Sequence, residues 1–134
     1  MRMLAIHVDY IKWKAKKKSK GFHEELGENR IGEVGDSVVF FVCGEKGDLG
    51  KIDLIVREML DIVSRLKAKR AVLFPFVHLF PREIQDPREA YQTILRIEEK
   101  LSSHLEVERV PFGWYKEFEF RNKGHPLSIS SRSI

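Results

Sequence analysis

A single cysteine, Cys43, in 134 residues rules out an intramolecular disulfide and leaves no second thiolate for a cysteine-based zinc site. No apolar run approaches the roughly 20 residues that a membrane helix needs, and no signal-peptide cleavage pattern follows Met1 to Tyr10. The expectation is therefore a soluble, cytoplasmic protein with no membrane partner. The nucleotide-binding patterns G-x-x-x-x-G-K-[ST] and G-x-G-x-x-G do not occur, which argues against an NTP or dinucleotide fold. The tail serines Ser128, Ser130, Ser131 and Ser133 lack the G-x-S-x-G elbow of an activated nucleophile, and the five histidines show no metal-ligand spacing such as HExxH. Covalent catalysis and metal catalysis both lack a motif, and no cofactor is expected.

What is present fits one compact domain, since 134 residues at 43% hydrophobic content suffice to bury a core. The net charge of +4 is modest but unevenly distributed. Six lysines (Lys12, Lys14, Lys16, Lys17, Lys18 and Lys20) surround Trp13, and Gly21 to Asp36 then turns acidic. This hairpin-like region either meets phosphates or is a solvated loop; charge alone does not separate the two.

Arg2 to Val8 and Ser37 to Cys43 read as buried strands: short, branched or aromatic, and bounded by turn residues. Between Lys51 and Lys69, Ile52, Ile55, Val56, Met59, Ile62, Val63 and Leu66 recur at steps of three and four, the stripe of an amphipathic helix. Ala71 to Val77 is another strand, in which Pro75 cannot donate a ladder hydrogen bond and so favours an edge or an interrupted end. Asp86-Pro87-Arg88-Glu89 combines an acidic N-cap, proline at the first helical position and Glu three residues after the cap, and starts a second helix with Ala90, Ile94, Ile97 and Leu101 inward. Leu105 to Val110 and Trp114 to Phe120 alternate as half-buried strands and are expected to be neighbours across Pro111-Phe112-Gly113. From Asn122 the tail is Gly, Pro and Ser-rich, and the natural chain is expected to continue beyond Ile134. The fold class is α/β: one domain, with a mixed, mainly antiparallel sheet and two principal helices.

Two side chains stand out. Period-two alternation puts Lys116 on the apolar face of its strand with Trp114, Phe118 and Phe120, opposite Tyr115, Glu117 and Glu119. Such a lysine is either a functional ammonium at a pocket rim or a strand-end residue whose stem covers Trp114 while its head stays in water. His78 follows Phe74-Pro75-Phe76-Val77 where a strand ends, the place where open α/β sheets put ligand crevices. It either binds substrate or holds a loop by hydrogen bonding.

Three segments together resemble the N-terminal editing domain of archaeal-type threonyl-tRNA synthetases, which is similar in fold to D-aminoacyl-tRNA deacylases. They are His7-Val8-Asp9-Tyr10, Phe74-Pro75-Phe76-Val77-His78-Leu79, and Pro111-Phe112-Gly113-Trp114-Tyr115-Lys116 followed by Lys123-Gly124-His125-Pro126-Leu127. In order and spacing they cover essentially the whole chain. The resemblance implies hydrolysis of L-seryl-tRNA(Thr) at a metal-free site, with water attacking the ester and the terminal ribose hydroxyl assisting. It implies that Lys116 orients substrate and stabilises charge, that Tyr115 positions the terminal nucleotide, and that His78 lines the seryl pocket. Main-chain groups around Val77, Phe112 and Gly113 would hold the water and the ester, and Pro75, Phe76 and Gly44 would border the adenosine. It also implies a homodimer, and further synthetase domains after Ile134.

An activated ester mainly needs a placed water and donors aimed at the developing oxyanion, so the residue types suit the reaction. The need for editing follows because a site built for threonine gains only about 1–3 kcal/mol from the methyl that serine lacks. A second pocket can reject threonine by clash with that methyl. The sequence departs from the family in having Ser128-Ile129-Ser130 where an acidic residue is usual, Trp114 for tyrosine and Val77 for alanine. The competing readings are a D-aminoacyl-tRNA deacylase and a catalytically silent appendage that anchors tRNA through Lys12 to Lys20.

Overall fold

The computed structural model describes residues 1–28 and 30–134. Its strands are β1 (Arg2–Lys18), β2 (Ile31–Val34), β3 (Ser37–Cys43), β4 (Arg70–Pro75), β5 (Glu106–Arg109), β6 (Trp114–Asn122) and β7 (Ile129–Ser133), and its helices are α1 (Ile52–Leu66) and α2 (Pro87–Ser102). All seven strands join one mixed sheet. β1 pairs antiparallel with β2, β3, β6 and β7, while β3, β4 and β5 run parallel. No helix among the described residues is long and apolar enough to cross a membrane.

The helices form where the spacing placed them. α1 buries Ile52, Ile55, Val56, Met59, Ile62 and Val63 on one stripe and stops at Lys67, whose backbone enters the left-handed region at φ 54°. α2 starts as its sequence dictates: the Asp86 carboxylate accepts from the backbone N–H of Arg88 at 3.0 Å and of Glu89 at 3.4 Å, and Pro87 occupies the first turn. Its buried stripe is Thr93, Ile94, Ile97 and Leu101, with Ala90 only half-buried. Thr93 can take that inward place because its hydroxyl accepts from Gln85 Nε2 at 2.8 Å and donates to the Glu89 carbonyl at 3.0 Å. Both helices cover one face of the sheet, packing on Met1, Met3, Ala5, Val38, Phe40, Val42, Ala71 and Leu73. Each large side chain fully buried there contributes about 1.5–3 kcal/mol.

The other face is closed by the sheet itself. A bulge at Asp9, where the register moves from Val8–Asn122 to Tyr10–Arg121, bends β1. Residues of β1 before the bulge, Met3 and Ala5, face the helices, whereas Ile11 and Trp13 beyond it join the second core with Val39, Phe41, Val72, Phe74 and Val110. β6 is carried along and passes over the parallel strands. Phe120 lies 5.9 Å from the Phe41 ring of β3, and Phe118 lies 4.8 Å from the Phe74 ring of β4.

Three expectations are corrected. β1 does not end at Val8: it continues through the lysine segment, with Lys12, Lys14 and Lys16 outward and Ile11, Trp13 and Ala15 inward, so that region is strand and not loop. β5 and β6 do not pair, because β5 lies beside β4 and β6 beside β1. The turn between them redirects the chain at Gly113 (φ 78°), where a side chain would collide with the Phe22 carbonyl. The polar tail supplies β7, whose residues Ile129 to Ser133 pair with Ile6 to Arg2 of β1.

Candidate active site

The carboxyl ends of the parallel strands lie together. The register sets Val42 of β3 opposite Pro75 of β4, and the N–H groups of Phe76 and Val110 donate to the carbonyls of Val42 and Leu73 at 2.8 and 2.9 Å. Gly44, Pro75, Phe76, Val77 and His78 thereby lie at adjoining strand ends, and the strand is interrupted at Pro75 as its missing N–H suggested. The Cys43 thiol, 3.7 Å from the Val77 carbonyl, spans the two strand ends. Pro75 costs no ladder bond because it is the last residue of β4. Val77 is 55% exposed, and its N–H has no acceptor among the described residues, so a free donor sits at the strand end.

Lys116 reaches this end from above. β6 crosses with its apolar face down, and the Lys116 ammonium rests 5.1 Å from the centre of the Phe74 ring. The aromatic row runs on from Phe74 to Phe76, 6.2 Å away, and from Phe76 to the His78 imidazole, 5.3 Å further. A chain of contacts through the buried Phe74 ring and Phe76 thus links Lys116 to His78. The hollows of about 490 Å³ beside Glu24 and Arg109 and about 730 Å³ between the helices are lined by other residues. Burial pushes the Lys116 ammonium down from 10.5 to about 8, and the Glu24 carboxylate opposes that shift. No ion-pair partner among the described residues touches it. At neutral pH the group is still a cation, poorly solvated and without a carboxylate partner among the described residues.

Glu24 was not legible as a site residue. Its carboxylate, only 9% exposed, pairs with Arg109 and accepts from the Phe112 N–H at 3.2 Å, and its carbonyl accepts from the Trp114 indole at 2.8 Å. It thus fixes the turn from which β6 departs, and with it the placement of Lys116. Arg109 is also paired with Glu98 of α2, and the carboxylates beside it raise its pKa against the cost of burial.

The remaining residues are less convergent. The Phe112 N–H and carbonyl are both taken up by Glu24, and its ring packs on Tyr91 at 5.4 Å and Phe22 at 6.1 Å. The Gly113 carbonyl accepts from the Ser19 N–H at 2.9 Å. Tyr115 faces the opposite side of β6 from Lys116 and is 63% exposed. Gly44 accepts from the Gln85 N–H at 3.1 Å, and the Gln85 amide occupies the space a Cβ would need. A separate network joins the first and third of the sequence segments: His7 Nδ1 meets His125 Nε2 at 2.9 Å, His7 Nε2 meets Asp36 at 3.2 Å, and Lys123 bridges Asp36 and Asp9 at 2.8 Å each. Lys123 holds the Asp9 and Asp36 carboxyls below their ordinary range. This network fastens the bulge of β1 to the chain leaving β6.

Comparison with known proteins adds the following. The model of a family described as the archaea-specific editing domain of threonyl-tRNA synthetase matches residues 1–134. Similar curated proteins include the threonine--tRNA ligases of Methanothrix thermoacetophila, 40% identical over 138 residues, of Thermofilum pendens, 37% over 138, and of Methanosphaera stadtmanae, 39% over 139. Each match takes in 100% of this chain and 22% of the relative, so the chain spans about a fifth of the length of these relatives.

Proposed function

Because the chain belongs to the archaea-specific editing-domain family of threonyl-tRNA synthetase, we propose that it hydrolyses L-seryl-tRNA(Thr) at the shelf formed by the ends of β3 and β4 under Lys116. The observation that carries this reading is the desolvated ammonium over Phe74, beside a strand end with a free backbone N–H at Val77. Water adds to the ester carbonyl and gives up a proton, the carbonyl oxygen gains negative charge, and the bond to the ribose oxygen then breaks, that oxygen taking up a proton as serine is released. Lys116 stabilises that charge and orients the substrate, and the adjacent ribose hydroxyl assists the water. Donors fixed before the reaction stabilise the transition state without reorganising. His78 lines the pocket for the seryl side chain, Val77 presents its amide, and Pro75, Phe76 and Gly44 border the adenosine. Tyr115, from the outer face of β6, meets the terminal nucleotide at the rim, and the Gly113 amide acts from the β5 end. Phe112 contributes through the turn it shares with Glu24.

In this reading the unit works as one domain of a cytoplasmic synthetase, as a homodimer, with the modules that charge tRNA(Thr) C-terminal to it. The experiment compares L-seryl-, L-threonyl- and D-aminoacyl-tRNA(Thr) side by side under single-turnover conditions. Release of serine alone is expected; preferential release of D-amino acids would replace this reading with a chirality-checking deacylase. Binding of the tRNA without release of any amino acid would leave only a tRNA anchor.

A further inference from the structure

Two residues beyond His78, the chain presents a side chain that the fold leaves unused. Phe80 is 91% exposed, and its backbone sits in the left-handed region at φ 53°. That conformation is unfavourable for an L-residue, and no burial of the ring offsets it. The segment around it is nonetheless held firmly. The Arg82 N–H donates to Glu45 Oε2 at 2.7 Å, the Lys46 N–H donates to the Glu83 carbonyl at 3.0 Å, Ile84 bridges Glu45, and the Gln85 N–H donates to Gly44 at 3.1 Å. The Glu45 carboxylate in turn pairs with the buried N-terminal ammonium at 3.2 Å. The Arg82 side chain points into solvent with no carboxylate partner among the described residues, whereas its neighbour Lys46 is paired with Glu83 at 3.7 Å. A strained, exposed aromatic side chain two residues after the end of the row Phe74–Phe76–His78, followed two residues on by an unpaired guanidinium on a hydrogen-bonded segment, has the composition of a single-strand nucleic-acid platform.

We propose that Phe80 and Arg82 form a binding shelf for the single-stranded RNA immediately 5′ of the aminoacylated adenosine, one base stacking on the Phe80 ring and its phosphate meeting Arg82. The proposal rests on the editing reading for the position of the adenosine, and it supplies what that site lacks, a grip on the rest of the RNA end. Stacking of one base is worth ~1–3 kcal/mol, about 5- to 150-fold in affinity.

The test uses an RNA hairpin ending in single-stranded CCA, with 2-aminopurine replacing the base before the terminal adenosine. Binding to the chain is expected to quench its fluorescence. Phe80→Ala should abolish the quenching and weaken binding about 5- to 150-fold, while Phe80→Trp retains both. Arg82→Gln should lower the salt dependence of binding by about 0.7 in log–log slope, the share of one single-strand phosphate. Because the ring is exposed, melting of the Phe80→Ala variant should show an intact fold. Undiminished quenching and affinity in Phe80→Ala would overturn the proposal, and so would a change in oligomeric state on that substitution, which would make the ring a contact between copies. If the chain stacks the hairpin through Phe80 but does not hydrolyse seryl-tRNA, the shelf stands and the editing reading fails. If it hydrolyses seryl-tRNA while Phe80→Ala leaves hairpin affinity and quenching undiminished, the reverse holds.

Discussion

Replacing Lys116 with methionine should make the protein more stable while removing its activity. Methionine keeps the stem that covers Phe74 and has no charge to desolvate, and its sulfur suits an aromatic neighbour. Holding the Lys116 pKa at about 8 against an ordinary 10.5 corresponds to a ceiling of about 3 kcal/mol at 1.36 kcal/mol per pKa unit. Because the ammonium keeps some contact with solvent, roughly 1–3 kcal/mol is the expected gain for Lys116→Met at pH 7. The sign follows from proton binding. Between pH 8 and 10.5 the unfolded chain holds the lysine proton and the folded chain has released it, so the stability of the natural protein rises with pH across that window. Below pH 8 both forms carry the proton and the folded form bears the full penalty of burying it. Urea titrations of both proteins at pH 7 and pH 10 measure this directly: the advantage of the methionine variant should be largest at pH 7 and shrink towards pH 10. A variant less stable than the natural protein at pH 7, or an advantage that does not change with pH, would refute a desolvated ammonium.

Glu24→Gln should cost on the order of 2–3 kcal/mol by denaturant midpoint, since Arg109 and the Phe112 N–H lose a charged acceptor. The same change removes the carboxylate that opposes the lowering of the Lys116 pKa, so the fall of the hydrolysis rate at alkaline pH should move to lower pH; an unmoved pH profile would deny the coupling. Asp48→Ala leaves the buried N-terminal ammonium, 2.9 Å away, without its nearer partner and should destabilise the fold by about 3–5 kcal/mol, a loss visible by calorimetry. Because Lys12 and Lys16 face Glu33 and Glu117 at 4.0 and 3.7 Å, any contribution of the lysine segment to tRNA binding should come from Lys14, Lys17 and Lys18 of β1 and from Lys20 just beyond it. Exchanging those four for glutamine should flatten the salt dependence of binding, and exchanging Lys12 and Lys16 should leave it nearly unchanged.

Local signals carried the elements whose reasons are local. The apolar run Ser37–Cys43, the stripe of α1 and the Asp86-Pro87 start of α2 are where hydrophobic period and cap chemistry put them. The lysine strand was also written in its alternation, Ile11, Trp13 and Ala15 inward between outward lysines, but the density of charge resembled a solvated loop. β7 had no such signature, because Ile129-Ser130-Ser131-Arg132-Ser133 contributes backbone pairing to β1 more than apolar burial. The pairing of β6 depended on the turn at Gly113, whose direction is set by a loop almost ninety residues earlier in the chain. The same distance hid Glu24. Lys116 stood out because period two alone puts an ammonium on an apolar face, whereas the ring beneath it, Phe74, became visible only once β6 had been folded over β4.

Whether the Lys116 ammonium drives the hydrolysis is decided by single-turnover release of serine from L-seryl-tRNA(Thr) by the natural chain and by Lys116→Met, each verified as folded under the same conditions. The natural chain should release serine rapidly, and the variant should release it only at the uncatalysed background rate. Equal rates from the two proteins would contradict this expectation, since the ammonium over Phe74 would then have no part in the hydrolysis.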